Sequence, residues 1–310
     1  MENKRVLVVG ADGQLGRCFK KLKEKEWIFA NKEQVDITNI DSIWKYVEEY
    51  QINIIINCAA YTNVDEAENN YDKAHSINAI GAENLANVMR DVDGWLFHIS
   101  TDYVFGNDVK PKPLTETDSV SPSNTYGSTK LCGEVLIGIS ECKHIIFRTS
   151  WLYSEYCKNF FTTMMNLTSE KAELKVVIDQ IGTPTYAMDL AEYICKIIDN
   201  NLYEGNEGIY NFSNEGACSW FDFASEINTI SGHKCQIKPC LSEDFPSKVK
   251  RPHYSVLSKE KAKNAFKMDI PYWRDSLIKC FEHHQLLMVQ LAISIAEKSV
   301  LFDTKLKGEV

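Results

Sequence analysis

Residues 6–16 read Val-Leu-Val-Val-Gly-Ala-Asp-Gly-Gln-Leu-Gly. The four apolar residues predict a buried strand, and the three glycines that follow predict a tight turn that opens a helix. Glycines let the backbone approach a diphosphate, which the N–H groups at a helix start can hold. The spacing G-x-x-G-x-x-G differs from the G-x-G-x-x-G fingerprint, and tight strand–helix turns also use glycine for purely structural reasons. Because the turn follows the first strand of an alternating chain, we expect it to bind a dinucleotide through Gly10, Gly13, Gln14, Leu15 and Gly16.

Short apolar runs alternate with amphipathic segments through the first half of the chain. The runs are Arg5–Val9, Trp27–Ala30, Asn53–Asn57, Trp95–Ser100 and His144–Thr149, and the segments between them include Asp41–Tyr50 and Ala79–Arg90. Parallel strands need a crossover between them, which a helix supplies, and a parallel sheet buries both faces of its strands. We therefore predict an α/β fold of the Rossmann type, a doubly wound parallel sheet with helices on both faces.

The alternation loosens after about residue 150, where loop residues become more frequent. We predict a nucleotide-binding core over residues 1–150, to which later segments return, and a smaller C-terminal lobe over residues 151–282. Residues 283–310 are predicted to form an extra helical tail. Its apolar stretch Leu286–Phe302 is too short and too interrupted by polar residues for a membrane span. It predicts a packed helix or an oligomer contact, with a membrane-surface helix as the alternative.

The composition of the chain argues against several classes of protein. The chain has 310 residues and a net charge of −9, which argues against a nucleic-acid-binding surface because such surfaces need clustered Lys and Arg. The ten cysteines form no C-x-x-C pair and the seven histidines show no metal-ligand spacing, so we expect neither a disulfide framework nor a metal. The opening residues lack the long apolar region of a signal peptide, and we expect a cytoplasmic protein.

The end of the second apolar run bears on which dinucleotide binds. An acidic residue there favours NAD, and a basic residue favours the 2′-phosphate of NADP. The sequence has Ala30-Asn31-Lys32 at this point, with no acid at the end of the run. Lys32 could meet a phosphate, although a surface lysine after a strand is common. We expect NADPH in preference to NADH.

Tyr126-Gly-Ser-Thr-Lys130 is a Y-x-x-x-K motif. Residues four apart on a helix share a face, so the phenol and the ammonium can converge on one pocket. A nearby ammonium lowers the pKa of a tyrosine toward the range where general acid catalysis is efficient. The spacing alone occurs by chance in many proteins, and its purely structural interpretation is an exposed helix turn.

Polar or small residues follow two neighbouring apolar runs. One run leads into Ser100-Thr101-Asp102, and another into Asn57-Cys58-Ala59-Ala60-Tyr61-Thr62. The carboxyl ends of strands in α/β sheets are where ligands bind, so the Thr101 hydroxyl should point into the crevice that Tyr126 and Lys130 share. Ala59 and Ala60 are small enough to let a cofactor lie close to the backbone.

At this point the sequence resembles the dTDP-4-dehydrorhamnose reductases, a family of extended short-chain dehydrogenases/reductases. The resemblance covers roughly residues 5–282. The glycine and Tyr-Lys motifs are shared by all extended short-chain dehydrogenases, whereas three segments are more particular to this family. They are Asn57–Glu68, Arg148–Tyr153 and Asp179–Thr185.

The resemblance implies NAD(P)H-dependent reduction of the C4 ketone of a dTDP-4-keto-6-deoxy hexose, which gives dTDP-L-rhamnose. Thr101, Tyr126 and Lys130 would be the catalytic residues, with Tyr126 protonating the alkoxide and Lys130 holding the nicotinamide ribose. The cofactor would also contact Asp36, Ile37, Ala59, Ala60 and Tyr61. The substrate would contact Thr101, Asp102, Trp151, Asn159 and Arg251, the last because a guanidinium fits phosphate in bidentate fashion.

The sequence departs from the family pattern at two points, and two alternative functions stay open. Some relatives bind magnesium at a dimer interface through glutamates, one of them just after the glycine loop, but here that region reads Leu15-Gly16-Arg17-Cys18. The tail after about residue 283 has no counterpart, which leaves a homodimer possible. One alternative is a reductase of another 4-keto nucleotide sugar, or an epimerase. The other is a non-catalytic NADP-binding regulatory subunit, which need not keep Thr101, Tyr126 and Lys130.

Overall fold

The first strand and its glycine turn lie in the middle of a six-stranded sheet. The computed structural model describes residues 4–107, 111–245 and 249–307, with side chains up to residue 295. The strands are β1 (Val6–Val9), β2 (Ile28–Ala30), β3 (Ile54–Asn57), β4 (Trp95–Thr101), β5 (Lys143–Thr149), β6 (Leu152–Tyr153), β7 (Glu173–Val177), β8 (Ile181–Gly182), β9 (Thr185–Tyr186), β10 (Gly208–Asn211), β11 (Cys218–Ser219) and β12 (Gln236–Cys240).

Helices connect most of these strands. They are α1 (Gln14–Lys23), α2 (Ile40–Tyr50), α3 (Val64–Ala67), α4 (Tyr71–His75), α5 (Gly81–Asp91), α6 (Thr125–Ile139), α7 (Phe160–Glu170), α8 (Ala187–Asp199), α9 (Trp220–Ser231), α10 (Glu260–Phe266) and α11 (Trp273–Lys307). A π-helical turn, Ser76–Ile80, joins α4 to α5.

The central sheet has the order β2-β1-β3-β4-β5-β10, and every neighbouring pair is parallel. The order reverses at β1, because β2 lies on one side of it and β3 on the other. In open α/β sheets this switch point is where the loops after two strands diverge and leave a crevice for a ligand. The prediction of a doubly wound parallel sheet is confirmed.

Alternate residues of the central strands enter two separate hydrophobic clusters. Val6 and Val8 pack with α1 and α8 on one face of the sheet, whereas Leu7 and Val9 pack with α2 and α5 on the other. All four valine and leucine side chains are buried. Both faces are therefore covered, which explains why the strand is apolar at every position instead of at alternate positions.

The second half of the chain builds three small strand pairs beside the central sheet. They are β6 with β9, β7 with β12, and β8 with β11. Between them the chain returns to the core, where α8 packs on α1 and β10 extends the central sheet next to β5. The exact division at residues 150 and 282 stays a prediction.

The tail after residue 283 continues α11 and is not a separate element. Six of its apolar side chains are exposed, namely Leu286, Met288, Val289, Leu291, Ile293 and Ile295. Up to residue 295 the tail therefore does not pack on its own chain as a buried helix, and the oligomer contact stays a prediction. The side chains of residues 296–307, and residues 308–310 altogether, lie outside the part described. Within that part, no helix combines the length and apolar character that crossing a membrane requires.

Candidate active site

The loops after β1 and β3 meet at the switch point of the sheet. Gly10 has φ +72°, and a Cβ at this position would lie 2.6 Å from the backbone nitrogen of Ala59. No side chain fits there, so the two loops pack backbone against backbone. The predicted glycine turn and the predicted small residues Ala59 and Ala60 thus border one crevice.

The start of α1 is shaped to receive an anion. Gly13 occupies the N-cap and supplies no side-chain cap, so the first-turn N–H groups are open to a ligand. A Cβ on Gly16 would lie 2.6 Å from both Ala11 Cα and Gly10 O, which keeps the turn tight. Leu15 is buried, and Gln14 accepts a hydrogen bond from the Ser154 hydroxyl at 3.1 Å. These residues fit a dinucleotide diphosphate.

The other predicted cofactor contacts lie along the same edge of the sheet. The Asp36 carboxylate accepts hydrogen bonds from the backbone and the hydroxyl of Thr38, which lowers its pKa. Ile37 is buried against Gly81. The Tyr61 backbone N–H donates to Asn78 Oδ1 at 2.8 Å. Their contacts with the cofactor stay predictions.

Thr101, Tyr126 and Lys130 converge on this edge from two elements. Thr101 is the last residue of β4, and Tyr126 lies in the first turn of α6, whose N-cap Asn124 accepts from the Gly127 N–H at 2.8 Å. Thr101 is close enough to Tyr126 to act on its phenol and lower its pKa. Lys130 follows one turn later on the same helix face and is 1% exposed.

Burial dominates the acid–base properties of the site. It raises the pKa of Tyr126 to about 12, with a smaller raising effect from Asp102, against the lowering effect of the Thr101 hydrogen bond. It lowers the pKa of Lys130 to about 8. The expectation that Lys130 lowers the pKa of Tyr126 is therefore wrong for the cofactor-free protein. The reason is that Lys130 Nζ is hydrogen-bonded to the His98 ring and to the carbonyl of Ile99.

Asp102 is a buried carboxyl group beside the reacting residues. Its Oδ1 accepts from the Thr101 hydroxyl at 3.1 Å. Burial raises its pKa to about 6, although hydrogen bonds with Ser255 and Thr101 favour the charged form. Asp102 is thus a second group that can change its protonation near neutral pH.

A cavity of 1280 Å³ is lined by residues of the second half of the chain together with Asp65, Glu66 and Asn69, and none of Thr101, Tyr126 and Lys130 lines it. Arg251 lines it, is partly exposed, and pairs with Asp65 at 3.4 Å. The Nε atom of Arg251 is buried and has no hydrogen-bond partner in the described part of the chain. Lys175 and Lys250 also line the cavity, together with the carboxylates of Asp65, Glu66, Asp179 and Glu243. The cavity therefore carries both charges, and its cationic donors are Arg251 and the two lysines.

Trp151 and Asn159 occupy positions that sequence reasoning did not specify. Trp151 has φ +48° and stacks on Trp220, with ring centroids 3.5 Å apart and an interplanar angle of 9°. Trp220 lines the cavity, so Trp151 supports its wall. Asn159 caps α7, accepting from the Thr162 N–H and donating to the Ser154 carbonyl. Substrate contact by Trp151 and Asn159 stays a prediction.

Sequence reasoning missed the groups that contact Lys130. His98 is buried within β4, and its imidazole lies between Lys130 and Asn57. The available signal was a histidine inside the otherwise apolar run Trp95–Ile99. Ser255, which lowers the pKa of Asp102, carries no such signal.

Comparisons with known proteins identify the family. Residues 4–286 match the family described as the RmlD substrate binding domain. The spore coat polysaccharide biosynthesis protein SpsK of Bacillus subtilis is 41% identical over 276 residues, 88% of this chain and 95% of that protein. The dTDP-4-dehydrorhamnose reductase of Aggregatibacter actinomycetemcomitans is 36% identical over 285 residues, 88% of this chain and 97% of that protein.

A solved structure of a relative has the same fold. The dTDP-4-dehydrorhamnose reductase of Bacillus anthracis, crystallised in complex with NADP, superposes with a TM-score of 0.84. It is 41% identical, and the match covers 91% of this chain and 99% of that one.

Proposed function

Because the chain belongs to the dTDP-4-dehydrorhamnose reductase family, we propose that it reduces the C4 ketone of dTDP-4-dehydro-L-rhamnose with NADPH. The product would be dTDP-L-rhamnose, a nucleotide sugar for polysaccharide biosynthesis. Relatives that carry the reductase name support the reaction, and the relative crystallised with NADP supports the cofactor.

The observation that carries the proposal is the arrangement of Thr101, Tyr126 and Lys130. Thr101 ends β4 at the carboxyl edge of the sheet, Tyr126 and Lys130 lie on α6, and Arg251 lines the cavity of 1280 Å³. Binding subunits can keep a cofactor cradle without needing a proton donor. A cradle, a proton donor and a cavity with an arginine that lacks a partner at Nε together support catalysis on an anionic carbonyl substrate.

Each residue has a task in this reaction. The bound nicotinamide supplies the hydride. Tyr126 keeps its proton at neutral pH because its pKa is raised to about 12, so it can donate that proton to the alkoxide formed at C4. Thr101 hydrogen-bonds the same oxygen and so stabilises its developing charge.

The diphosphate of the substrate would bind at the cationic side of the cavity. Arg251 has an unpartnered Nε and an exposed ion pair with Asp65 that a diphosphate could replace. Such a pair in contact with water contributes little by itself, so exchanging it for a diphosphate costs little. This places the sugar between Arg251 and Tyr126.

The proposal is tested by mixing the protein with NADPH and dTDP-4-dehydro-L-rhamnose and following the loss of NADPH. We expect turnover that requires the sugar, and Tyr126→Phe should bind NADPH normally but lose most of the rate. Turnover only with a different 4-keto nucleotide sugar would reject the named substrate and keep the reductase class. Sugar isomerisation without net NADPH loss would indicate an epimerase, and NADPH binding with no turnover would indicate a regulatory subunit.

Location and assembly follow as parts of the same proposal. An enzyme that consumes NADPH and a nucleotide sugar works where both are made, so we propose the cytoplasm. The apolar side chains of α11 between residues 286 and 295 are compatible with a homodimer.

A further inference from the structure

A loop over residues 154–158 joins β6 to α7 and contacts the glycine turn. The Ser154 hydroxyl lies 3.1 Å from Gln14 Oε1, and the Cys157 thiol lies 3.5 Å from the carbonyl oxygen of Asp12. Both partners belong to the turn that is predicted to bind the cofactor diphosphate. The conformation of this loop therefore bears directly on the start of α1.

The side-chain amide of Asn159 closes the loop at its other end. Its NH₂ group donates to the carbonyl oxygens of Ser154 at 2.8 Å and Tyr156 at 3.0 Å, and its oxygen accepts from the Thr162 N–H at 3.2 Å. An amide NH₂ group has two hydrogens to donate, and both have a partner here. A substrate that accepted a hydrogen bond from Asn159 would have to break one of these contacts.

The contact of Asn159 with the Tyr156 carbonyl decides where the Ser154 hydroxyl donates. A hydroxyl has one proton, and two acceptors lie 3.1 Å from this one, namely Gln14 Oε1 and the Tyr156 carbonyl oxygen. The Tyr156 N–H donates to the same hydroxyl oxygen at 3.1 Å and holds it in place. Because Asn159 already donates to the Tyr156 carbonyl, the Ser154 proton is directed to Gln14.

The orientation of the Gln14 amide follows from this hydrogen bond. Its oxygen faces Ser154, so its NH₂ group is left to donate elsewhere, and Gln14 is the first residue of α1. A diphosphate is bound by such donors together with the N–H groups of the first helical turn. We propose that Asn159 is a positioning residue for the cofactor, which acts through Ser154 to keep the NH₂ group of Gln14 available to the diphosphate of NADPH.

The loop is also anchored independently of Asn159. The side chain of Glu155 is 1% exposed and accepts from the Tyr186 hydroxyl of β9 at 3.1 Å, and its other oxygen lies 4.0 Å from Lys21 Nζ on α1. Removing the Asn159 amide therefore leaves the loop attached to the rest of the chain. What changes is the choice of acceptor for the Ser154 hydroxyl, and with it the orientation of Gln14.

Asn159→Ser separates the two tasks of this side chain. Serine caps a helix about as well as asparagine, so α7 keeps its N-cap, but the NH₂ group is lost. We expect the Kd for NADPH, measured by a fluorescence titration, to rise about tenfold because one hydrogen bond to a charged group is weakened. The KM for the nucleotide sugar, measured at saturating NADPH, should stay unchanged because Asn159 has no donor free for the sugar.

Two further variants define the route of the effect. Asn39 caps α2 in the same way, accepting from the Asp41 N–H, and is exposed, so Asn39→Ser is the matched control and should leave the Kd for NADPH unchanged. Ser154→Ala removes the donor to Gln14 and should raise this Kd as Asn159→Ser does. The double variant with Asn159→Ser and Ser154→Ala should show no further rise, because both substitutions remove the same contact.

Three results would overturn the proposal. One is an unchanged Kd for NADPH in Asn159→Ser, and another is a raised KM for the sugar with that Kd unchanged, which would make Asn159 a substrate contact. The third is a double variant whose rise in Kd equals the product of the two single rises, because Asn159 would then not act through Ser154. If Asn159→Ser does not fold, Asn159→Asp takes its place, since aspartate keeps the shape and the N-cap but has no NH₂ group.

The inference rests on the cofactor of the proposed function, but its failure is distinct from failure of that function. The NADPH titration needs no sugar, so a protein that turns over no nucleotide sugar but shows the expected Kd values keeps the inference and rejects the reaction. A working reductase in which Asn159→Ser binds NADPH as the wild type does keeps the reaction and rejects the inference.

Discussion

Replacing Gly16 by alanine separates helix propensity from packing in the glycine turn. Inside a helix, alanine is more favourable than glycine by up to about 1 kcal/mol. The new Cβ, however, would lie 2.6 Å from Ala11 Cα and from Gly10 O, and 2.7 Å from Ala11 O. These are backbone atoms, which cannot rotate away as a flexible side chain could. Overpacking costs about 1–3 kcal/mol, and contact with fixed backbone atoms puts the cost near about 3 kcal/mol, so we expect a net loss of about 2 kcal/mol after the gain in helix propensity.

Gly138 offers the matched control in α6. It is exposed, and a Cβ there meets no atom within 4 Å. Gly138→Ala should therefore stabilise the protein by up to about 1 kcal/mol. Urea unfolding at equilibrium measures both variants, and an NADPH titration should show weaker binding only for Gly16→Ala, because its turn must move. Equal stability and equal NADPH affinity of the two variants would refute the argument.

Further substitutions test single contacts of the site. Thr101→Val should lower kcat about a hundredfold by removing a donor to the reacting oxygen, while Thr101→Ser keeps most of the rate; steady-state kinetics would contradict this if both variants behaved alike. Arg251→Met should raise KM for the nucleotide sugar about 10–100-fold and leave NADPH affinity unchanged, and an unchanged KM would show that the diphosphate binds elsewhere. Arg148→Met leaves the buried Glu134 carboxylate unpaired and should cost about 3–5 kcal/mol in urea unfolding, unless the carboxylate finds another partner. Because folding lowers the pKa of Lys130 from 10.5 to about 8, Lys130 contributes about 3 kcal/mol of stability that is gained as the pH rises across this window, whereas the buried cysteines with raised pKa values act in the opposite direction. Unfolding measured at several pH values should therefore show a more positive slope in the wild type than in Lys130→Met, and equal slopes would contradict this.

Local patterns were sufficient to predict the sheet and to select Thr101, Tyr126 and Lys130 as candidate catalytic residues. The run Val6–Val9 is apolar at each position because both faces of the sheet are covered, and the glycines follow it directly. Thr101 follows from its place at a strand end, and Tyr126 and Lys130 from a spacing of four on one helix. Each of these signals is contained in a short stretch of chain.

Features that depend on distant partners could not be predicted in this way. The stack of Trp151 on Trp220 joins residues far apart in the sequence. The left-handed φ of Trp151 could not be predicted either, because glycine is the residue type that usually indicates this conformation. Asn159 has the residue type of a substrate contact, yet it caps α7 and makes a capping box with Thr162. The pKa of Tyr126 depends on burial, which the Y-x-x-x-K spacing does not specify.

The path of the hydride tests the central claim most directly. The protein is supplied with dTDP-4-dehydro-L-rhamnose and NADPH that carries deuterium at the transferable position of C4, and the product is examined by NMR. We predict dTDP-L-rhamnose with deuterium at C4 of the sugar, formed at a rate that falls sharply in Tyr126→Phe. Unlabelled product, a label at another carbon, or no reduction of this sugar would contradict the account.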